Sequence, residues 1–334
     1  MNLIVASAPG KVILAGEYAV LAGAPALSMA INRRAVTTIE LAEEDTSRLR
    51  TPGLTDGEWR FTTPTAGELR WIDEPPSVAS STFDAAFAML DQAMPPLSIT
   101  IDTRAFHEAA SGQKLGLGSS AAAMTSVVHA LKKLLGDRQP AALLAEVAHR
   151  EMQMGGSGVD VSTSNLGGVI QYRRDSGASV GKPGWPDGLT FAVLWSGQSS
   201  RTTEMVGRLS DDCWKSRAGK ALISSAEGVV HNWTSGVEAA QGGIQAYADC
   251  LQAFDVDQRI GIFDAGHQEL YELAMESDVT YKPSGAGGGD IGIVLSHDVD
   301  LVRAFCVEAE RRGFRELGLA LDPIGARFGE TEET

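Results

Sequence analysis

The segment Lys114-Leu115-Gly116-Leu117-Gly118-Ser119-Ser120-Ala121-Ala122 constrains the fold more than any other stretch, because a glycine turn with two hydroxyls runs directly into a helical pattern. Gly116 and Gly118 permit a backbone that residues with a Cβ resist. Successive N–H groups can then turn toward one concavity, while the helix behind adds its dipole and its unpaired amides. Polyphosphate suits such a concavity. Taken alone, the same residues also describe an ordinary glycine turn with Ser119 as a helix cap.

Two further glycine segments lie far away in the chain. One is Ala8-Pro9-Gly10-Lys11-Val12-Ile13-Leu14-Ala15-Gly16-Glu17-Tyr18-Ala19-Val20-Leu21, the other Lys282-Pro283-Ser284-Gly285-Ala286-Gly287-Gly288-Gly289-Asp290-Ile291-Gly292-Ile293-Val294. Neither a G-x-x-x-x-G-K-[S/T] loop nor the glycine set of protein kinases is present. In their order and spread the three segments resemble the three motifs of the GHMP kinase superfamily. That resemblance implies an α+β, two-domain fold, with a part like the second domain of ribosomal protein S5 followed by a ferredoxin-like part. It also implies ATP and Mg²⁺ as cofactors.

With 334 residues, 43% of them apolar, the chain can bury a large core, in one domain or two closely joined ones. No apolar run reaches the length of a membrane span, and Met1-Asn2-Leu3-Ile4-Val5 has no basic leader, so a cytoplasmic location is expected. Cys213, Cys250 and Cys306 are odd in number and widely spaced, which suits reduced thiols. The six histidines are scattered without ligand spacing, which argues against protein-held zinc. The net charge of -15 disfavours nucleic acid and anionic membrane as partners. A phosphate site must then make its own positive potential, from Mg²⁺, helix N-termini and Lys11, Lys114, Arg201 or Lys282. The expected partner is a small molecule, the assembly a monomer or homodimer.

Short strands are predicted at residues 3–6, 11–15, 27–31, 34–41, 59–62 and 97–101, with a capping box at Ser81-Thr82-Phe83-Asp84 opening a helix. Helices over 119–135 and 140–153 and a strand over 167–172 complete the first half. The glycine- and proline-rich stretch 176–188 reads as a linker, so residues 1–185 and 186–334 are expected to form the two domains. The second half predicts a strand at 189–195, helices over 202–233, 239–254 and 259–277, and a last helix capped by Asp300.

Phosphoryl transfer asks for Mg²⁺ on phosphate oxygens, a cation for transition-state charge, and a group that orients the attacking oxygen. Asp160 sits in the glycine-rich stretch Gly155-Gly156-Ser157-Gly158-Val159-Asp160. Such a turn is a costly place for a carboxylate unless it faces a site, although turn-forming Asp is common. The resemblance assigns Lys11 and Asp160 to catalysis. To ATP phosphates it gives Lys114, Gly116, Leu117, Gly118, Ser119, Ser120 and Ala121, with Ser120 on Mg²⁺ and Ser119 capping the helix, or the reverse. To the acceptor it gives Glu17, Tyr18, Ser157, Arg201, Ser284, Gly285, Ala286, Gly287, Gly288 and Asp290. Glu151 is a second metal ligand or a solvated helix residue.

Three local features, Lys114, Asp290 and Gly16-Glu17-Tyr18, resemble the phosphomevalonate kinase branch more than the mevalonate kinases. This implies phosphorylation of phosphomevalonate to diphosphomevalonate in isoprenoid synthesis. The alternatives are mevalonate kinase activity or a GHMP-fold ligand sensor without turnover.

Overall fold

Aliphatic and β-branched residues near the N-terminus build two long paired strands where the sequence predicts four short ones. The computed structural model describes residues 3–89, 94–136, 141, 145–148, 157–174, 178–200, 202–210 and 212–329. Strand β1 (Ile4–Ala15) pairs antiparallel with β2 (Ala26–Leu41), from Ile4 opposite Ile39 to Ala15 opposite Leu27. Pro9-Gly10 does not end the strand. It makes a register shift, a bulge that bends β1 without breaking the ladder. A Cβ on Gly10 would lie 2.5 Å from the Leu117 carbonyl oxygen, so the bulge brings β1 against the glycine turn at Gly116-Leu117-Gly118.

The sheet continues through β3 (Ser47–Arg50), β4 (Trp59–Thr62), β5 (Arg70–Trp71) and β6 (Leu97–Asp102), with β13 (Arg327–Phe328) outside β1, in the order β13-β1-β2-β6-β3-β4-β5. At the Ala26–Met29 end of β2 it adds β7 (Val169–Arg174) and then β8 (Ala178–Gly181), so part of the expected linker is a strand.

Helix α1 (Ser77–Ala88) begins after Pro76, four residues before the expected capping box. The preceding turn contributes Ala79 and Ser80 to the buried face, which draws residues 81–84 into the helix interior. Helix α2 (Ser119–Leu135) matches its expected span and packs on β1 and β2. Small residues, Ala121, Ala122, Ala123 and Ala130, let its axis approach the sheet closely, and Ser126 Oγ lies 2.8 Å from Thr37 Oγ1. Of the expected helix over 140–153, residues 141 and 145–148 are helical and the rest lie outside the described residues. Helix α3 (Val159–Leu166) lies against α2 and β1.

The second sheet is antiparallel, in the order β10-β11-β9-β12, from β9 (Thr190–Trp195), β10 (Thr280–Ser284), β11 (Ile291–Ser296) and β12 (Arg315–Glu316). Its helices are α4 (Thr202–Gly207), α5 (Arg217–Asn232), α6 (Val237–Gln258), α7 (His267–Glu276) and α8 (Val299–Arg311). The helix expected over 202–233 is therefore two, split by a 3-10 turn at Cys213–Lys215. Ser216 caps the second, accepting from Gly219 N at 2.9 Å. The cap of α8 is Asp298, which accepts from Asp300 N at 2.8 Å; Asp300 is already inside the helix. Among the described residues no helix is long and apolar enough to cross a membrane.

The described residues end on the first sheet. Strand β13 (Arg327–Phe328) pairs with Ala6 and Ser7 of β1. Arg34 fastens this return, donating to Asp322 Oδ2 at 2.5 Å and to the carbonyls of Ser7, Ile324 and Gly325.

Candidate active site

The turn before α2 has the geometry its glycines predict. Gly116 and Gly118 have φ of 77° and 79°, and Gly118 is the residue that caps the helix. Ser119 is thus the first helical residue and not its cap, because a left-handed cap needs no Cβ. The first intrahelical bond runs from Ala122 N to Gly118 O, so the amides of Ser119, Ser120 and Ala121 precede it and point out of the helix end. Ser119 and Ser120 are half-buried and Ala121 buried. Leu117 is buried and its carbonyl accepts from Lys11 N at 2.9 Å. Lys114 is exposed at the rim, and its carbonyl accepts from Ser199 Oγ.

All three glycine segments meet here. The space that a side chain on Gly118 would need is filled by the Lys11 stem, 2.9 Å from the position of such a Cβ. That beside Gly116 is filled by Asp290, at 2.4 Å. Lys11 Nζ emerges 3.7 Å from Asp160 Oδ2, with the lysine side chain 8% and the aspartate 32% exposed. Asp160 is in the first turn of α3, whose cap Gly158 has φ of 90°. Ser157 is half-buried just before it, and its carbonyl accepts from Tyr172 Oη at 2.7 Å.

Lys11, Glu17, Tyr18, Asp160, Gly285 and Ala286 line a cleft of about 120 Å³. The first motif enters it through a strained turn. Tyr18 has φ 60° and ψ -52°, and Ala19 N reaches Glu17 O at 2.6 Å, the geometry of a γ-turn that residues with side chains rarely adopt. The Tyr18 hydroxyl donates to the Ala286 carbonyl at 2.5 Å across the cleft. Burial pushes the Tyr18 phenol above its ordinary range, keeping it a donor.

Several expected contacts are spent elsewhere. Lys282 is fully buried and paired with the Glu17 carboxylate, so it is no open phosphate cation. Burial pushes Glu17 up and Lys282 down, each opposed by the charge of the other. Glu17 Oε2 is buried without a hydrogen-bond partner. Ser284 does not offer its hydroxyl to the cleft, because it is buried and bridges the Ile13 amide and carbonyl at 2.9 Å each. Gly285 lies beside Lys11 Nζ, whereas Gly287 and Gly288 pack against Ile262 and Met205. The Asp290 carboxylate accepts from Ser200 N and Oγ, and burial pushes it up. Arg201 and Glu151 lie outside the described residues. Sequence reading missed Tyr247, whose hydroxyl holds the Glu17 carbonyl at 2.6 Å, and Ser200. Tyr247 belongs to no motif and meets Glu17 across 230 residues, while Ser200, beside Arg201, meets Asp290 across 90, and such separations leave no local signal.

Among the described residues no group of three or more His, Cys, Asp and Glu side chains could hold a metal ion. The Ser120 hydroxyl at the helix start fits Mg²⁺ carried by nucleotide, since that ion keeps waters and phosphate oxygens as most of its ligands. The glycine cradle and the helix amides fit the phosphates themselves.

Residues 79–168 match the family model of the GHMP kinases N terminal domain, and the α+β fold is that of GHMP kinases. The chain is 29% identical to a phosphomevalonate kinase of Streptomyces sp. strain CL190, over 90% of this chain and 93% of that protein. It is 28% identical to a mevalonate kinase of Thermococcus sibiricus, over 86% and 87%. The structure of Streptococcus pneumoniae phosphomevalonate kinase in complex with phosphomevalonate and AMPPNP superposes with a TM-score of 0.78. That match has 20% identity and covers 95% of this chain and 99% of that one.

Proposed function

We propose that this chain is an ATP- and Mg²⁺-dependent small-molecule kinase of the mevalonate pathway, converting phosphomevalonate to diphosphomevalonate. The observation that carries the reading is the Lys11–Asp160 pair, set between a glycine-cradled helix N-terminus and a small cleft. Residues 1–185 supply the phosphate loop and residues 186–334 the third glycine loop.

The amides of Ser119, Ser120 and Ala121 hold the ATP phosphates, and the Ser120 hydroxyl serves the Mg²⁺ that they carry. When bound, that ion neutralises charge building on the bridging oxygen. An oxygen of the acceptor phosphate forms the new bond to the γ-phosphorus, the bond to the β,γ-bridging oxygen breaks, and ADP leaves. A phosphate acceptor is already anionic near neutral pH, so Asp160 acts by holding Lys11 and the acceptor in line more than as a base. Lys11 takes up charge on the transferred group. Lys114, beyond its place at the ATP phosphates, or Arg201 is the extra cation proposed for the existing phosphate of the acceptor.

The likeness to the Streptomyces and Streptococcus proteins favours phosphomevalonate, and the likeness to the Thermococcus protein favours mevalonate as the second reading. ATP consumption measured with phosphomevalonate, mevalonate and galactose decides. Phosphomevalonate should turn over fastest; a faster rate with mevalonate installs the second reading, and no turnover with any acceptor favours a ligand sensor.

A further inference from the structure

The third glycine loop has no charged side chain between Ser284 and Gly289, yet both its ends are fixed. Ser284 holds one end to β1. The other is held by His267, the first residue of α7, which is fully buried behind the loop. Its Nε2 lies 2.9 Å from the Gly289 carbonyl oxygen and its Nδ1 2.7 Å from the Tyr281 hydroxyl. A carbonyl oxygen only accepts, so Nε2 carries the proton, Nδ1 accepts, and the tyrosine donates. The partners thus select one neutral tautomer. The Tyr281 ring lies 6.1 Å from the imidazole at an interplanar angle of 23°, and Phe314 meets it edge-on at 5.4 Å.

Asp290, the residue after Gly289, is the part of the loop that touches the phosphate site. It has φ of 53°, its amide donates to Gln198 O at 2.6 Å, its carboxylate holds Ser200, and its Cβ fills the space over Gly116. A rotation of the Gly289 peptide would move all of these together. We propose that His267 is a positioning residue of the candidate active site, acting through the Gly289 carbonyl on Asp290 and through Asp290 on Gly116. For its activity readout the proposal rests on the kinase reading; its second readout needs only the loop geometry. Burial holds the imidazole down at about 4, so the donor on Nε2 persists through the neutral range.

The test uses the full chain with His267→Phe, which keeps the ring volume without either polar contact, His267→Gln, which keeps an amide donor near the Nε2 position, and Tyr281→Phe. In ATP consumption with phosphomevalonate, His267→Phe should lower kcat roughly 10- to 100-fold and raise KM for ATP, the scale of a misplaced group. His267→Gln should recover most of the loss. In the unliganded protein, amide exchange at Gly288 and Asp290 should speed up in His267→Phe while α2 amides keep their protection. A folded His267→Phe with wild-type kinetics overturns the proposal, as does equal damage from His267→Gln, or unchanged loop exchange. If His267→Phe does not fold, Tyr281→Phe and the ring ¹⁵N shifts of the wild type decide, and a proton found on Nδ1 overturns it. A wild type inert toward every acceptor defeats the kinase reading alone, and the exchange comparison then decides on His267.

Discussion

A lysine whose stem is buried beside Gly118 and whose ammonium reaches Asp160 is placed to act on charge, because packing alone would be served by any unbranched side chain. Lys11→Met keeps the stem and removes the cation. It should leave the thermal midpoint within a few degrees of wild type and lower kcat by about 10²- to 10³-fold, as loss of a preorganised transition-state contact does. Equal kcat in the two proteins removes Lys11 from the chemistry. At His267 the expected effect is on stability. Its folded-state pKa lies at about 4, below the ordinary 6.5, chiefly through burial and with the Lys282 charge adding to it. Between those values the unfolded chain binds a proton that the folded chain does not, so stability is present above pH 6.5 and is lost as pH falls toward 4. The loss attributable to this residue is about 3 kcal/mol. Urea unfolding at pH 7 and pH 4.5 should show a steeper fall for wild type than for His267→Gln; parallel profiles refute the assignment.

At the scale of elements, the phosphate loop and α2 form one unit whose sense depends on Gly118. Gly118→Ala would force a side chain into a left-handed backbone and against the Lys11 stem. It should destabilise the fold by about 1–2 kcal/mol and raise KM for ATP more than KM for the acceptor. A change confined to the acceptor KM would place the nucleotide elsewhere. This unit was also the most legible part of the sequence. Glycines at 118 and 136, both left-handed, bound α2 where the pattern places its ends. The bulge at Pro9-Gly10 was not legible, because a proline and a glycine in a strand signal an ending unless the neighbouring loop that requires the bend is known. In the candidate site, Lys11, Asp160 and the loop glycines could be read because their motifs are contiguous. The pairing of Glu17 with Lys282 could not, since it joins residues 265 positions apart, nor could the pinning of Gly289 by His267, which lies outside every motif.

Taken as a whole, the molecule is strongly acidic, and the cations of its cleft are largely matched from within, Lys11 by Asp160 and Lys282 by Glu17. On the proposed function, attraction for the ATP phosphates therefore falls chiefly to backbone amides and the ion that the nucleotide carries. The two halves are tied by more than the cleft, because Arg34 gathers the end of the chain onto the first sheet with its pair to Asp322, both side chains nearly buried. Arg34→Met leaves that carboxylate without its cation and should lower stability by about 3 kcal/mol or more in urea titration. A loss well under 1 kcal/mol would mean the return is only a surface contact. The pairing of β13 with β1 has a consequence for folding. Ala6 and Phe328 stand opposite each other, so among the described strands this pairing joins the most distant parts of the sequence. Until it forms, β1 presents an open strand edge able to recruit a neighbouring chain. Closure of the sheet thus waits on its most non-local contact, and slow closure leaves that edge open to aggregation.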